Sequence, residues 1–312
     1  MVYIALILLG LCFGSFVNAL VWRLYQQGNG GEGEEQGPES DKKDKKSGKK
    51  ARHAVAYPPA LTPPPASELS ILKGRSMCVD CRHTLAAKDL IPVLSWVSLR
   101  GKCRYCRKAI SWQYPLVELL TAGLFVASYV FWPLPLSGSG LLGLSVSNGL
   151  AFGFWLIFLV GFMALAVYDL RWFLLPNKIV YPLLVLAAGQ ALARAALDGD
   201  VAILTTAIWG LAIGGGIFYL LFQVSRGTWI GGGDVKLGFL LGLIVGGPVN
   251  SLLLLFLASL LGCLVTVPLL LSGRATRKSH IPFGPFLLLA AIIVQLFGAA
   301  ILAWYQHQFL LM

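Results

Sequence analysis

GLAFGFWLIFLVGFMALAVYDLR, residues 149–171, is the stretch on which the reading of this chain turns. From Gly149 to Tyr168 it carries no charged side chain, and a bilayer core about 30 Å thick asks for about 20 such residues in one helix. It then closes on Asp169 and Arg171. A membrane-length apolar run ending on a carboxylate poses both questions at once: how many such runs there are, and what the acid is for.

Working outward, seven more runs of this kind are separated by Gly, Pro or charge, at Val2 to Trp22, Pro115 to Trp132, Ile179 to Leu197, Val201 to Val224, Lys236 to Gly246, Val249 to Leu271 and Phe283 to Trp304. The expectation is an all-α polytopic membrane protein of about eight transmembrane helices, the run at Lys236 to Gly246 being the shortest. Composition agrees: 57% of the 312 residues are hydrophobic and 12% charged, with a mean hydropathy of +0.74, which excludes a water-soluble globule. The first run lacks a basic leading region and a small-residue cleavage site, so it reads as a retained helix.

The net charge of +11 does not point to nucleic acid, because most Lys and Arg fall between Arg23 and Lys108, in one loop. If the spans alternate, the loops holding Arg171 and Lys178, Arg226 and Lys236, and Arg274, Arg277 and Lys278 share that side, while the opposite loops carry Asp198, Asp200 and almost no cations. The positive-inside rule then puts the basic side in the cytoplasm and both termini outside.

The long basic loop divides by composition. Residues 26–70 are rich in Gly, Glu, Lys and Pro and are expected to be a disordered insertion whose basic run rests on anionic lipid, whereas residues 71–112 carry cysteines and aromatics and are expected to fold. The chain thus reads as a first helix (1–25), the insertion, a cysteine module, and a seven-helix core (113–312).

Two carboxylates carry the chemistry. Asp169 ends its span, and Asp234 follows three glycines in Gly231-Gly-Gly-Asp234-Val-Lys236 at the start of another, so both fall at the same boundary. An acid there is costly unless it is solvated, paired or used. The plain alternative for each is a boundary residue paired with Arg171 or Lys236, and Asp198 and Asp200 fit that description. Two facing carboxylates, by contrast, titrate as a coupled pair: the ionised one draws a proton from an attacking water and the protonated one polarises a scissile carbonyl. Gly231 and Gly233 leave room for an extended substrate beside Asp234. Glu118 is either a third acid of the site or a cap on its own helix. Lys236 biases the pair, contacts substrate or anchors to lipid.

Cys78-Val-Asp-Cys81 and Cys103-Arg-Tyr-Cys106 are separated by 21 residues. Two such turns supply the four thiolates of a structural zinc site and explain how so short a segment folds; redox pairs and inert thiols are the alternatives. His53, His83 and His280 lack ligand spacing, and Cys12 and Cys263 read as small apolar residues.

Together these residues resemble the bacterial prepilin peptidase family. Gly14-Ser-Phe-Val-Asn18 with Arg23, Arg75-Ser-Met-Cys78 with the second cysteine pair, Tyr114-Pro-Leu-Val-Glu118, Asp169-Leu-Arg171 leading to Leu175-Pro-Asn177, Gly231 to Lys236, and Ile281-Pro-Phe-Gly284-Pro-Phe286 follow in family order. The resemblance implies an inner-membrane GxGD-type aspartic endopeptidase with Asp169 and Asp234 catalytic. It further implies cleavage of type IV prepilins or type II secretion pseudopilins after a glycine at the cytoplasmic face, and S-adenosylmethionine-dependent methylation of the new amino terminus. The chain departs from the family in its long insertion and in Gly232, where the family often has an aromatic. The competing readings are a cation-coupled transporter that uses the two aspartates and a redox or scaffold protein built on the cysteine loop.

Overall fold

The computed structural model describes residues 1–29, 69–70, 74–136, 146–273 and 281–309. Most of the expected insertion, together with His53, His280, Arg274, Arg277 and Lys278, lies outside the described residues. Within them the chain is helical: α1 Val2–Asn29, a 3-10 turn Ala87–Asp89, α2 Leu94–Ser98, α3 Gln113–Val130, α4 Val146–Trp172, α5 Asn177–Asp198, α6 Ala202–Ser225, α7 Gly232–Val245, α8 Pro248–Leu271 and α9 Gly284–Phe309. No β-strand occurs among the described residues, only two isolated bridges.

Each of the eight apolar runs is helical, but the expected count of eight spans is not confirmed: among the described residues 6 helices (α1, α4, α5, α6, α8 and α9) are long and apolar enough to cross a membrane. α7 has 14 residues, a rise of about 21 Å against a hydrocarbon core of about 30 Å. Gly246 (φ 64°) and Gly247 (φ 76°) end it in left-handed backbone that favours glycine, and α8 starts at Pro248. α3, at 18 residues, opens on Gln113 and Tyr114 and carries Glu118.

The chain divides into two units, Met1–Val17 with Val117–Met312, and Asn18–Leu116. In the first, glycines set the closest helix approaches. Gly210 and Gly214 of α6 face Gly242 and Gly238 of α7, each at a point where a Cβ would strike the partner's backbone. This four-residue spacing on both helices is the small-residue packing of membrane interfaces, where close approach substitutes for the absent hydrophobic drive. The α7–α8 corner is tied back to α6: the Gly247 N–H donates to Thr206 O at 2.7 Å, and the Ser251 hydroxyl donates to Gly210 O at 3.1 Å. Gly10 and Gly14 of α1 likewise admit the backbone of Ala122 and Glu118 of α3. Trp155, Phe158 and Phe162 of α4 are fully buried, and the Trp155 indole donates to Ser128 of α3 at 2.9 Å.

In the second unit, α1 runs past Trp22 because its polar end is held. Arg23 donates to Ser70 O (3.0 Å) and Gly74 O (2.8 Å), Gln27 to Leu69 O (2.9 Å), and Asn18 to Tyr114 O (3.2 Å). Arg23 and Asn18 are buried, so these bonds satisfy side chains that would otherwise lose their hydration.

Candidate active site and cysteine module

Asp169 sits in the last turn of α4 and is 5% exposed; Asp234 sits in the first turn of α7 and is half-buried. They are close enough for their charges to interact. The glycine run permits this start of α7: Gly231 is extended (φ −72°, ψ 147°) and caps the helix, placing Asp234 one turn in. Asp169 accepts a hydrogen bond from the N–H of Gly284, the first residue of α9, so a helix N-terminus points its free amide at the carboxylate. A Cβ on Gly284 would overlap the Asp169 Oδ2 atom. Leu175 lies against both glycine segments: a Cβ on Gly233 would meet its Cβ and Cδ1 at 3.3 Å, and one on Gly284 its Cδ2 at 3.6 Å.

The neighbouring cations do not neutralise the pair. Lys236 donates to Asn177 Oδ1 at 2.9 Å and lies 5.5 Å from the Tyr181 ring centroid, so it joins α7 to the start of α5. The Arg171 guanidinium lies over the Trp172 ring at 5.7 Å. Among the described residues the ion pairs are Arg104–Asp89 and Lys108–Asp80. The plain alternative from sequence, a snorkelling acid paired with its own neighbour, is therefore not what the structure shows. Glu118 lies beyond the first turn of α3, buried where Gly14 crosses.

The Sγ atoms of Cys78, Cys81, Cys103 and Cys106 all lie within 4.8 Å of one another, and Cys78 Sγ is 3.9 Å from Cys106 Sγ. A tetrahedral zinc with Zn–S about 2.3 Å has its sulfurs about 3.8 Å apart, so the residues present fit that ion. Each CxxC pair sits in the same turn. Cys78 N–H donates to His83 O (3.0 Å), Arg82 N–H to Cys78 O (3.0 Å) and Leu85 N–H to Ser76 O (2.8 Å). In the second, Cys103 N–H donates to Lys108 O (2.8 Å), Arg107 N–H to Cys103 O (3.0 Å) and Ile110 N–H to Gly101 O (2.7 Å). Arg82 (φ 57°) and Arg107 (φ 61°) take the same left-handed position. The turns also embrace reciprocally: Lys108 pairs with Asp80 at 3.0 Å, and the equivalent His83 stacks on Tyr105 with ring centroids 3.7 Å apart. Burial pushes the Cys78 thiol up to about 12, whereas at Cys103 burial is outweighed by backbone N–H donors of Cys106 and Tyr105 and by the neighbouring thiols, leaving it at about 7. A bound divalent ion would hold all four as thiolates.

The sequence singled out the aspartates, Gly231, Gly233 and Lys236 but gave no role to Gly284, Leu175 or Asn177, which complete their surroundings. It also missed that Arg75 to Leu85 and Arg100 to Ile110 are copies of one turn 25 positions apart, a signal that self-comparison of the sequence would have found.

Residues 8–132 match the profile of the bacterial peptidase A24 N-terminal domain, and residues 156–267 match that of the type IV leader peptidase family. The chain is 31% identical to a prepilin leader peptidase/N-methyltransferase of Stutzerimonas stutzeri, over 96% of this chain and 92% of that one. The chain belongs to the type IV leader peptidase family. Proteins of the same description from Pseudomonas aeruginosa (32% identical, 96% of this chain and 91% of that one) and Bacillus subtilis (32%, 76% and 87%) are similar to it over most of their length. No solved structure matches it. The two family profiles fall on the two chemical features: the first spans all four cysteines, the second both aspartates.

Proposed function

We propose that this chain is a prepilin leader peptidase in which Asp169 and Asp234 act as an aspartic dyad. It cuts type IV prepilins or type II secretion pseudopilins after a glycine, and it then methylates the exposed amino terminus from S-adenosylmethionine. The observation that carries the peptidase reading is a pair of carboxylates, at the end of α4 and the start of α7, that flank the same Leu175-lined spot and that no cation among the described residues pairs with. One carboxylate accepts a proton from water as the water oxygen attacks the scissile carbonyl; the other, protonated, donates a hydrogen bond to that carbonyl oxygen and later returns a proton to the leaving amine. The Gly284 amide fixes the orientation of the Asp169 carboxylate, and Gly231 to Gly233 keep the approach to Asp234 free of side chains.

Basic loops on one side favour a cytoplasmic active face and an external amino terminus in the bacterial inner membrane. Cys78, Cys81, Cys103 and Cys106 would hold zinc, which would supply a fold for residues 74–112 rather than take part in cleavage. The methyl-transfer half rests on the names of the relatives. Nothing in the comparisons favours the transporter reading.

The test is cleavage of a model prepilin by wild type, Asp169→Ala and Asp234→Ala, each confirmed as membrane-inserted. Removing either carboxylate is expected to abolish turnover, and cleavage near the wild-type rate by either variant rejects the dyad. Transfer of labelled methyl from S-adenosylmethionine to the cleaved product, measured on the same wild-type sample, tests the second activity separately.

A further inference from the structure

The cysteine module carries an apolar face that its own fold leaves uncovered. Ile91, Leu94 and Val97 are exposed, Leu94 to 67% and Val97 to 58%. Leu94 and Val97 lie about 60° apart on one side of α2 at about 100° per residue, and Ile91, in the turn just before it, accepts a hydrogen bond from Ser95 N–H. Trp96 points the other way, about 200° from Leu94, and is the residue the module uses. Its indole donates to Ile110 O at 3.2 Å, its ring stacks on Trp112 with centroids 4.1 Å apart, and Gly101 is held against it. The outward face therefore does not contribute to the module's own packing.

Charge says what covers it. Residues 74–112 hold eight lysines and arginines against two aspartates, and both aspartates are already paired, Asp89 with Arg104 and Asp80 with Lys108. Exposed Lys88 precedes the apolar face in the chain, and exposed Arg100 and Lys102 follow it. A tetrathiolate zinc site, with a net charge of −2, would leave the segment cationic. The segment is also tethered at both ends, entered from α1 and leaving directly into α3, and exposed Trp112 stands immediately before α3, where an indole suits the boundary between water and hydrocarbon. Apolar residues bordered by cations, on a segment that cannot leave the membrane's neighbourhood, match the chemistry of an anionic bilayer surface rather than of bulk water.

We propose that the Ile91/Leu94/Val97 face is an interfacial anchor that seats the cysteine module in the headgroup region of an anionic bilayer, with Lys88, Arg100 and Lys102 engaging lipid phosphates. This is independent of the catalytic reading, since it concerns where the module rests and not what the aspartates do.

The test places the photoreactive amino acid p-benzoylphenylalanine at position 94, 97 or, as a control on the first cysteine turn, 84 of the full chain, reconstituted in phosphatidylcholine vesicles with or without phosphatidylglycerol. Illumination followed by mass spectrometry is expected to give lipid adducts at 94 and 97 well above those at 84, falling at least about fivefold without the anionic lipid, since one cation near such a surface is worth about that factor. No lipid adduct at 94 or 97, equal yields at all three positions, equal yields in the two vesicles, or adducts formed with a second copy of the chain would each overturn the proposal.

Discussion

Gly284→Ala adds a single methyl group, and the structure says where it must go. The new Cβ would overlap the Asp169 carboxylate, and restoring ordinary contact requires α9 or the carboxylate to retreat by on the order of 1 Å. Backbone conformation offers no objection: Gly284 opens a helix with ordinary φ, and alanine is the better helix former. The damage should therefore appear in the geometry of the acid pair. A misplacement of about 1 Å at a catalytic group costs about 100-fold in rate, or roughly 2.7 kcal/mol of barrier. In a prepilin cleavage assay Gly284→Ala is expected to lower kcat by that factor while the thermal unfolding midpoint stays near wild type. The control is Gly189→Ala, inside α5 with nothing within 4 Å of the added carbon, which should cleave normally and gain about 0.5–1 kcal/mol of stability. Wild-type kcat in inserted, folded Gly284→Ala would refute the reasoning. It would mean that the contact between α9 and Asp169 does not govern the position of the acid.

The other predictions concern packing and the module. Gly242→Leu forces a side chain into the backbone of Gly210, so it should destabilise the fold by at least about 1–3 kcal/mol, whereas Gly216→Ala, which meets nothing within 4 Å, should not; equal unfolding midpoints for the two would dismiss the glycine interface. Lys236→Met and Asn177→Ala should each lower stability and together lower it by less than their sum, with a coupling of about 1 kcal/mol for a half-buried charge-assisted bond; strict additivity in that cycle would show that the bond is not made. Purified protein should contain one zinc per chain, and stripping it with a strong chelator should open residues 74–112 to protease and all four thiols to alkylation. Protein without zinc whose module still resists protease would reject the metal's structural role.

How far the sequence could be read depended on where polar residues interrupt it. Apolar length located every long helix, because hydropathy needs no knowledge of neighbours, and Asp169 and Asp234 stood out because a carboxylate at the edge of such a run is rare. The four cysteines declared themselves by spacing. What stayed hidden was the facing of helices that are apolar all round: no polar stripe in α6 or α7 marks the side on which Gly210 and Gly214 meet Gly242 and Gly238, so the glycines could be noticed but not paired. The shortness of α7, by contrast, was legible, since Lys236 to Gly246 is the shortest of the eight runs and Gly246 and Gly247 turn the backbone at its end. Gly284 gave no sign of its role, since its partner lies on a helix two-fifths of the chain away and the contact is made by an amide that every residue possesses.

The same arrangement explains why so much glycine surrounds so few acids. On the proposed dyad reading the two carboxylates share a proton and repel when both ionise, so a flexible support would let them part; each has to be held by something stiffer than a side chain. Asp234 stands on a 14-residue helix pressed backbone to backbone on α6 and tied by Lys236 to the start of α5. Asp169 stands at the end of α4, the most buried of the six membrane-length helices, with an α9 amide bonded to its carboxylate. Backbone contacts lose little conformational freedom on thermal fluctuation because they have no rotamers to change, whereas Leu or Met at the same interfaces would couple the acids' separation to side-chain motion. Glycine at positions 210, 214, 238, 242 and 284 is on this argument part of the apparatus that sets the distance between the two acids, although none of the five carries a functional group of its own.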